Sequence, residues 1–351
     1  MKKIAYIELD THAEIAANFM ELMEDSKEFL VDYYFSKKII QRICDCSENV
    51  FEVAPQTLRV SLKKEKYNLV IIGTVHRYFN LFNSITSKLN TAVIVHNLNF
   101  TRITKAQLFR NIFKKDFAYR LKLLVKEGLF LAPKVFEKAG NLLVLDESLT
   151  KENADLKLKF LPVFHFKEYS GNVHSEVKIV IPGTVSQFRR DYLHILDHIE
   201  NAKTDTHFQF IFLGKAVGKE LSWIKNLINK KPDNISLTYF TNKVPPTIFD
   251  EWIRNADVLW CPIQKKTKFF SQTEIYGKTK MSGNIGDAIK FGKLAVFPKE
   301  YPKVHPFIIP EEEDVLSQLK MLKESSEYNF LQTFSKENVL KSLEMKLSEL
   351  L

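Results

Sequence analysis

The run Glu274-Ile-Tyr-Gly-Lys278-Thr279-Lys280-Met-Ser282-Gly283-Asn284-Ile-Gly286-Asp287 gathers residue types that handle a phosphate ester. Small residues at 282–286 let backbone N–H groups approach phosphate oxygens, and a helix beginning near Asp287 adds partial positive charge at its N-terminus. Lys278 and Lys280 supply countercharge, while the carboxylates of Glu274 and Asp287 can accept hydrogen bonds from sugar hydroxyls. Together these groups suit a nucleoside diphosphate. The competing reading is an ordinary helix start capped by Ser282.

A second run, Pro182-Gly183-Thr-Val-Ser186-Gln-Phe-Arg189-Arg190-Asp191-Tyr192, follows a strand-like segment. Gly183 permits a tight turn there. Arg189 and Arg190 are placed to grip a diphosphate in bidentate fashion, against the alternative of a solvated turn before a helix. In the first half, Glu8-Leu-Asp10-Thr-His12-Ala-Glu14 also follows a strand. Asp10 or His12 there could deprotonate an acceptor hydroxyl. The same residues with Glu14 could instead cap a helix, or hold a metal, although the spacing is not diagnostic of one. His96, in Val95-His96-Asn97, and His76, in His76-Arg77-Tyr78, end strands in the same half, and each is a candidate cleft residue against a structural role.

Strands and helices must position these groups. Lys3–Leu9, Phe29–Phe35, 68–73, Thr91–His96 and Leu142–Leu145 read as strands, separated by helical segments at His12–Glu24, Pro55–Lys64 and Tyr78–Leu89. The alternation restarts after Phe166. Strands at Val177–Ile181, Phe208–Leu213, Ile235–Phe240, Asp257–Cys261 and Leu294–Phe297 enclose helices at Asp191–Asn201, Leu221–Asn229, Pro246–Arg254 and Asp287–Phe291. Continuous apolar runs separated by helices imply parallel sheets covered on both faces. The expectation is α/β: two Rossmann-like doubly wound domains, 1–166 and 167–330, facing a cleft, with a helical tail at 331–351. The polar stretch containing Ser170-Gly171-Asn172 is the linker between them. In such sheets ligands sit at the carboxyl ends of the strands.

The 351 residues are enough for two domains. No run of about 18 apolar residues marks a membrane span. The start, Met1-Lys-Lys-Ile, meets Glu8 and Asp10 too soon for a signal peptide. Cys44, Cys46 and Cys261 lack a zinc spacing and are expected as reduced, structural residues of a cytoplasmic protein. The sequence has no G-x-G-x-x-G after a strand, no Walker A loop, no G-x-S-x-G and no H-E-x-x-H. Dehydrogenase, P-loop, serine hydrolase and zincin readings therefore lose their main support.

Net charge is +9, and residues 101–140 alone hold ten Lys/Arg against three Asp/Glu. Phe109, Phe113, Phe117, Leu121 and Leu124 share one helical face there, with Arg110, Lys114, Lys115, Arg120 and Lys122 around it. That pattern fits docking on the anionic inner face of a membrane, or core packing with lysines in water. Nucleic acid is not expected, since no binding module accompanies the charge.

The order Pro-Gly-x-Val-Ser-x-x-Arg-Arg-Asp-Tyr, then Phe210-Ile-Phe-Leu-Gly214, then Ala256-Asp-Val-Leu-Trp-Cys-Pro262 and the 274–292 segment resembles the nucleotide-binding domain of GT-B glycosyltransferases, the bacterial family-4-like group that builds surface polysaccharides. The resemblance covers about residues 177–300. It implies transfer of a sugar from a nucleoside diphosphate sugar to an acceptor hydroxyl, with no cofactor and no protein-bound metal; the basic helix would suit a lipid-linked sugar as that acceptor. It places Asp287 on the ribose and gives an upstream acidic residue to the donor sugar, with seven residues between the two. In this chain that offset lands on Thr279, while Glu274 lies twelve intervening residues away, and either is the sugar contact. Lys280, Ser282, Gly283 and Asn284 join Gly183, Ser186, Arg189 and Arg190 on the diphosphate. The loop through Val244 faces the base, and a histidine near the donor sugar matches His96. A nucleotide-sugar epimerase of the same fold, or a non-catalytic nucleotide-sugar-binding protein, is the alternative.

Overall fold

Segments that are apolar throughout can be buried on both faces, and Ile4, Ala5, Tyr6 and Ile7 are fully buried. They belong to β1 (Lys2–Glu8), which is followed by β2 (Phe29–Phe35), β3 (Val50–Glu52), β4 (Leu69–Ile72), β5 (Thr91–Ile94), β6 (Asn141–Val144) and β7 (Leu158–Phe160). Every pairing is parallel, in the order β3-β2-β1-β4-β5-β6-β7. The computed structural model describes residues 1–43, 47–169, 175–324 and 328–351. Cys44, Cys46 and the linker residues Ser170, Gly171 and Asn172 lie outside the described residues.

A second parallel sheet repeats the plan. It contains β8 (Val177–Pro182), β9 (Phe208–Lys215), β10 (Ile235–Phe240) and β11 (Val258–Trp260). After the pair β12 (Lys266–Phe269) and β13 (Gln272–Ile275) come β14 (Leu294–Phe297) and β15 (Ile308–Pro310). The order is β10-β9-β8-β11-β14-β15. In both sheets the strand order reverses beside the first strand, so a switch point lies between β1 and β4 and another between β8 and β11. Crevices at switch points, outside the carboxyl ends of the strands, are where such sheets bind ligands.

The chain forms two compact units. The first comprises Met1–Phe164, Lys268–Met281 and Lys336–Leu351; the second comprises His165–Thr267 and Ser282–Ser335. The strands read from sequence are present within a residue or two at each end. The short edge strands β3, β7 and β15 had no run long enough to be read.

One helix differs in a way that matters. The expected start near Asp287 is corrected: the helix runs Gly283–Phe291, and the Ser282 hydroxyl caps it by accepting the Asn284 N–H at 3.3 Å. Asp287 therefore sits in the second turn. The glycines at 283 and 286 are helical rather than loop residues, so the small-residue run reads as loop while serving as helix.

The C-terminal helix Lys336–Ser348 buries Val339, Leu343 and Leu347 within the first unit, held by Ser26 to Glu344 at 2.6 Å and Lys336 to Asp25 at 2.6 Å. The aromatic stretch of the basic segment is two helices, Lys105–Ile112 and Phe117–Glu127, interrupted at Asp116 with φ of 50°. Among the described residues no helix is long and apolar enough to cross a membrane.

Candidate functional site

In the second unit the turn after β8 is shaped by close approach. Gly183 has φ of +103°, and a Cβ there would lie 2.3 Å from Nη2 of Arg190. The guanidinium is thus laid directly over the glycine backbone. Its Nη2 donates to Oδ1 of Asn284 at 3.2 Å. Asn284, buried in the first turn of the Gly283–Phe291 helix, passes the contact on: its Nδ2 donates to Oδ2 of Asp287 at 3.1 Å. A continuous polar chain therefore runs from the β8 turn to the helix. The Nε–H of Arg190 is buried with no partner among the described residues, so this cation keeps a donor in reserve.

Burial pushes the Asp287 carboxyl up to about 6, against the hydrogen bond from Asn284 and the charges of Lys290 and Arg190. A carboxylate held near its ionisation point becomes a strong acceptor as soon as it loses its proton. Lys290 is engaged with Asp250 at 2.6 Å. Arg189 is exposed, and Ser186 shapes the turn by accepting the N–H groups of Arg189 and Arg190 at 2.9 and 3.0 Å. Val244 is half-buried in the loop after β10. Cys261, a free thiol, is fully buried behind the strand ends, and burial raises its pKa out of the reactive range.

The 274–292 segment divides between the units. Residues Lys268–Met281 belong to the first, and Ser282 onward to the second. In the first unit β12 and β13 form a hairpin whose central residues Phe270 and Ser271 have φ of 49° and 59°. Left-handed φ at both central positions suits the twist of a two-residue hairpin turn. The turn is held by Arg120, which stacks on Phe270 at 4.5 Å and donates to Ser271 Oγ at 2.8 Å. Arg120 is consequently buried and structural, not part of the basic face read from sequence.

That hairpin delivers Glu274 to the strand ends of the first sheet. Glu274 is buried, accepts from Asn97 Nδ2 at 2.8 Å and pairs with Lys280 at 3.3 Å. The hydroxyl of Thr279 is spent on the Ile275 backbone, accepting its N–H at 2.9 Å, while the Thr279 carbonyl accepts the N–H of Leu98. Of the two, Glu274 sits with the ionisable groups.

Three histidines gather at the β1/β4/β5 ends. The rings of His12 and His96 stack at 3.8 Å, with His76 6.1 Å from His12. His96 Nε2 bonds the Gly73 carbonyl at 2.8 Å. A carbonyl only accepts, so Nε2 carries the proton and the neutral ring keeps its lone pair on Nδ1. Burial first, then the neighbouring His12, lowers the pKa of His96 well below its usual value; the same causes take His76 to about 4. His12 itself, at φ of 49° before the helix Ala13–Met23, contacts Glu14 through Nδ1 at 3.0 Å. Asp10 does not cap that helix; it faces Lys38 at 3.2 Å and Arg77 at 3.8 Å.

The sequence reading missed Glu8 and Asn97 as site residues. Glu8, the last residue of β1, accepts the N–H groups of Asp10 and Thr11 at 3.0 and 3.2 Å and the Thr74 hydroxyl at 2.6 Å. Burial nevertheless raises its carboxyl to about 7. Its place at a strand end was the available signal. Asn97 also follows a strand end, but its partner Glu274 is 177 residues away, so the pairing had no local signal.

No family model matches the chain. No curated protein matches it in sequence. Solved structures do match over nearly the whole length. One is the lipopolysaccharide outer core galactosyltransferase WaaB in its apo form: 11% identity, TM-score 0.60, 99% of this chain and 100% of that one. A glycosyltransferase from Rickettsia africae ESF-5 gives 9% identity and TM-score 0.56, covering 99% and 98%. UDP-GlcNAc 2-epimerase from Neisseria meningitidis, bound to UDP-GlcNAc, gives 11% and 0.55, covering 99% and 100%. At such identities the likeness concerns architecture, and the narrower family-4 resemblance is not established by it. The chain has a GT-B-like fold, with two Rossmann-like lobes in one polypeptide.

Proposed function

We propose that the protein transfers a sugar from a nucleoside diphosphate sugar to an acceptor hydroxyl. The observation that carries this reading is the chain Gly183–Arg190–Asn284–Asp287 at the β8/β11 switch point. Arg190 and the positive N-terminal end of the Gly283–Phe291 helix take the diphosphate, whose negative charge grows as the glycosidic bond breaks. Arg189 adds countercharge. Asp287 accepts from the ribose hydroxyls, and Val244 borders the base.

In the first unit His12 is the general base. A Glu14 carboxylate on Nδ1 fixes that proton and leaves Nε2 free to take one from the acceptor. Asp10 lies beside it as the other candidate. Glu274, oriented by Asn97 and Lys280, holds a sugar hydroxyl, and His96 offers its Nδ1 lone pair. Neither a metal ion nor a cofactor is part of this scheme.

The acceptor belongs to a membrane surface in this reading. Phe109, Phe113 and Phe117 form an exposed aromatic ladder with ring separations of 5.2 and 5.6 Å. Lys105, Arg110, Lys114, Lys115 and Lys122 around it are exposed. Apolar rings ringed by cations suit an anionic lipid face, and a surface-glycan or glycolipid acceptor would be met there.

The test is turnover of uridine, guanosine and adenosine diphosphate sugars, with and without anionic vesicles carrying a glycolipid acceptor. Acceptor-dependent release of nucleoside diphosphate supports transfer. Interconversion of the donor with no acceptor would replace it by the epimerase reading, which the likeness to UDP-GlcNAc 2-epimerase structures keeps in view. Binding without turnover in either arm would leave a nucleotide-sugar-binding protein.

A further inference from the structure

The second unit contains a cluster that the sugar-transfer reading does not use. The helix Tyr192–Glu200 carries His194 and His198 one turn apart, so both imidazoles leave the same face. Glu311 follows β15 and reaches the same spot. One ligand atom from each of the three residues lies within 4.8 Å of the others. Among the described residues this is the one such grouping of His, Cys, Asp and Glu.

Several further features suit a metal rather than a plain ion pair. The Glu311 side chain is only 11% exposed, and its Oε2 accepts the indole N–H of Trp260 at 3.2 Å. The second oxygen, Oε1, faces His194 Nε2. A carboxylate oriented by a buried indole is the kind of outer support that fixes a ligand. His198 has its ring edge-on to His194 at 4.5 Å and makes no hydrogen bond among the described residues. One imidazole in this group is therefore without the partner that a purely structural pair would give it. All three side chains line a cavity of about 570 Å³, bordered also by Pro262, Lys299 and Glu312.

We propose that His194, His198 and Glu311 bind a zinc(II)-class ion. Two imidazoles and one carboxylate form a ligand set typical of zinc, whereas magnesium and calcium favour all-oxygen shells. Tetrahedral ligands at about 2.0–2.1 Å from zinc lie roughly 3.4 Å apart. Side-chain rotation brings atoms already within 4.8 Å to that spacing, with the metal replacing the direct His194–Glu311 contact. The fourth position opens to the cavity and takes water or a small anion. The ion ties the helix that follows the Arg189–Arg190 turn to the segment after β15. The site is independent of the sugar-transfer reading and does not need it to be correct.

The experiment uses the full chain, stripped with chelator and titrated with zinc(II) alone against a chromophoric indicator. One equivalent should bind, and cobalt(II) in its place should give the intense visible bands of a four-coordinate site. His198→Ala and Glu311→Gln should each weaken zinc by at least about tenfold. Far-UV circular dichroism confirms that each variant is folded, and His198→Gln serves if His198→Ala is not. His12→Ala should keep the full equivalent, which separates this site from the histidines of the first unit. No stoichiometric zinc, weak octahedral cobalt bands, or loss of zinc in His12→Ala but not in His198→Ala overturns the proposal.

Discussion

If Asp287 holds the ribose, donor affinity must depend on pH in a way that the structure fixes. Burial sets the Asp287 carboxyl at about 6 in the free protein. Ribose hydroxyls donate, so the ionised form is the one that binds. A group of pKa about 6 is about one-tenth ionised at pH 5 and about nine-tenths ionised at pH 7. Affinity should therefore rise about tenfold across that interval, about 1.4 kcal/mol, and level off above it. A nucleoside diphosphate sugar is the right probe, because its esterified phosphates do not titrate there. Calorimetry at pH 5, 6, 7 and 8 gives the profile. Asp287→Asn keeps the size and can still face Asn284, but cannot become an anion. It should bind more weakly at pH 7 by about 1.5–3 kcal/mol, the worth of hydrogen bonds to a charged group, and its profile should be flat. An unchanged slope in Asp287→Asn would refute the ribose assignment, as would a wild-type affinity that ignores pH.

Other outcomes follow from the same geometry. Gly183→Ala should lower stability by about 1–3 kcal/mol, since φ of +103° strains any side chain there, and should weaken donor binding by displacing Arg190; denaturant unfolding and calorimetry read the two effects. Glu8, raised from 4.5 to about 7, binds its proton more tightly folded than unfolded, so stability should fall as pH climbs from about 4.5 through 7, by an amount on the order of 3 kcal/mol. Glu8→Gln should remove that slope in unfolding curves at pH 5 to 8, and retention of it would show that Glu8 is not the source. Phe113→Asp should abolish co-sedimentation with anionic vesicles while leaving soluble donor binding intact; unaltered co-sedimentation would return the basic segment to an ordinary solvated face.

The architecture was legible because parallel strands buried on both faces write themselves as continuous apolar runs, as in 68–73 and Leu294–Phe297. The three-residue edge strands carry no such run. The second-unit candidates were legible for a local reason: the β8 turn and its arginines are adjacent in sequence. What could not be read was pairing at a distance. Asn97 meets Glu274 only because the β12–β13 hairpin docks on the first unit. The same docking explains why the 274–292 run looked like one element and is two. Glycines and a serine before Asp287 resemble a loop, yet Ser282 caps a helix that tolerates both glycines. In the basic segment, a uniform helical stripe overlooked Asp116. The left-handed residue there breaks the helix and separates Phe109 and Phe113 from Leu124, which packs on the core.

The central claim rests on one cation. Calorimetric titration of the purified chain with uridine, guanosine and adenosine diphosphate sugars, repeated on Arg190→Gln, tests it most directly. The account requires saturable binding of at least one of them at one site per chain, and a loss of about tenfold or more when the guanidinium is removed, since charge-assisted contacts to phosphate are worth about 1.5–3 kcal/mol. Equal affinity in Arg190→Gln, or binding of none of the three by a folded protein, would contradict it.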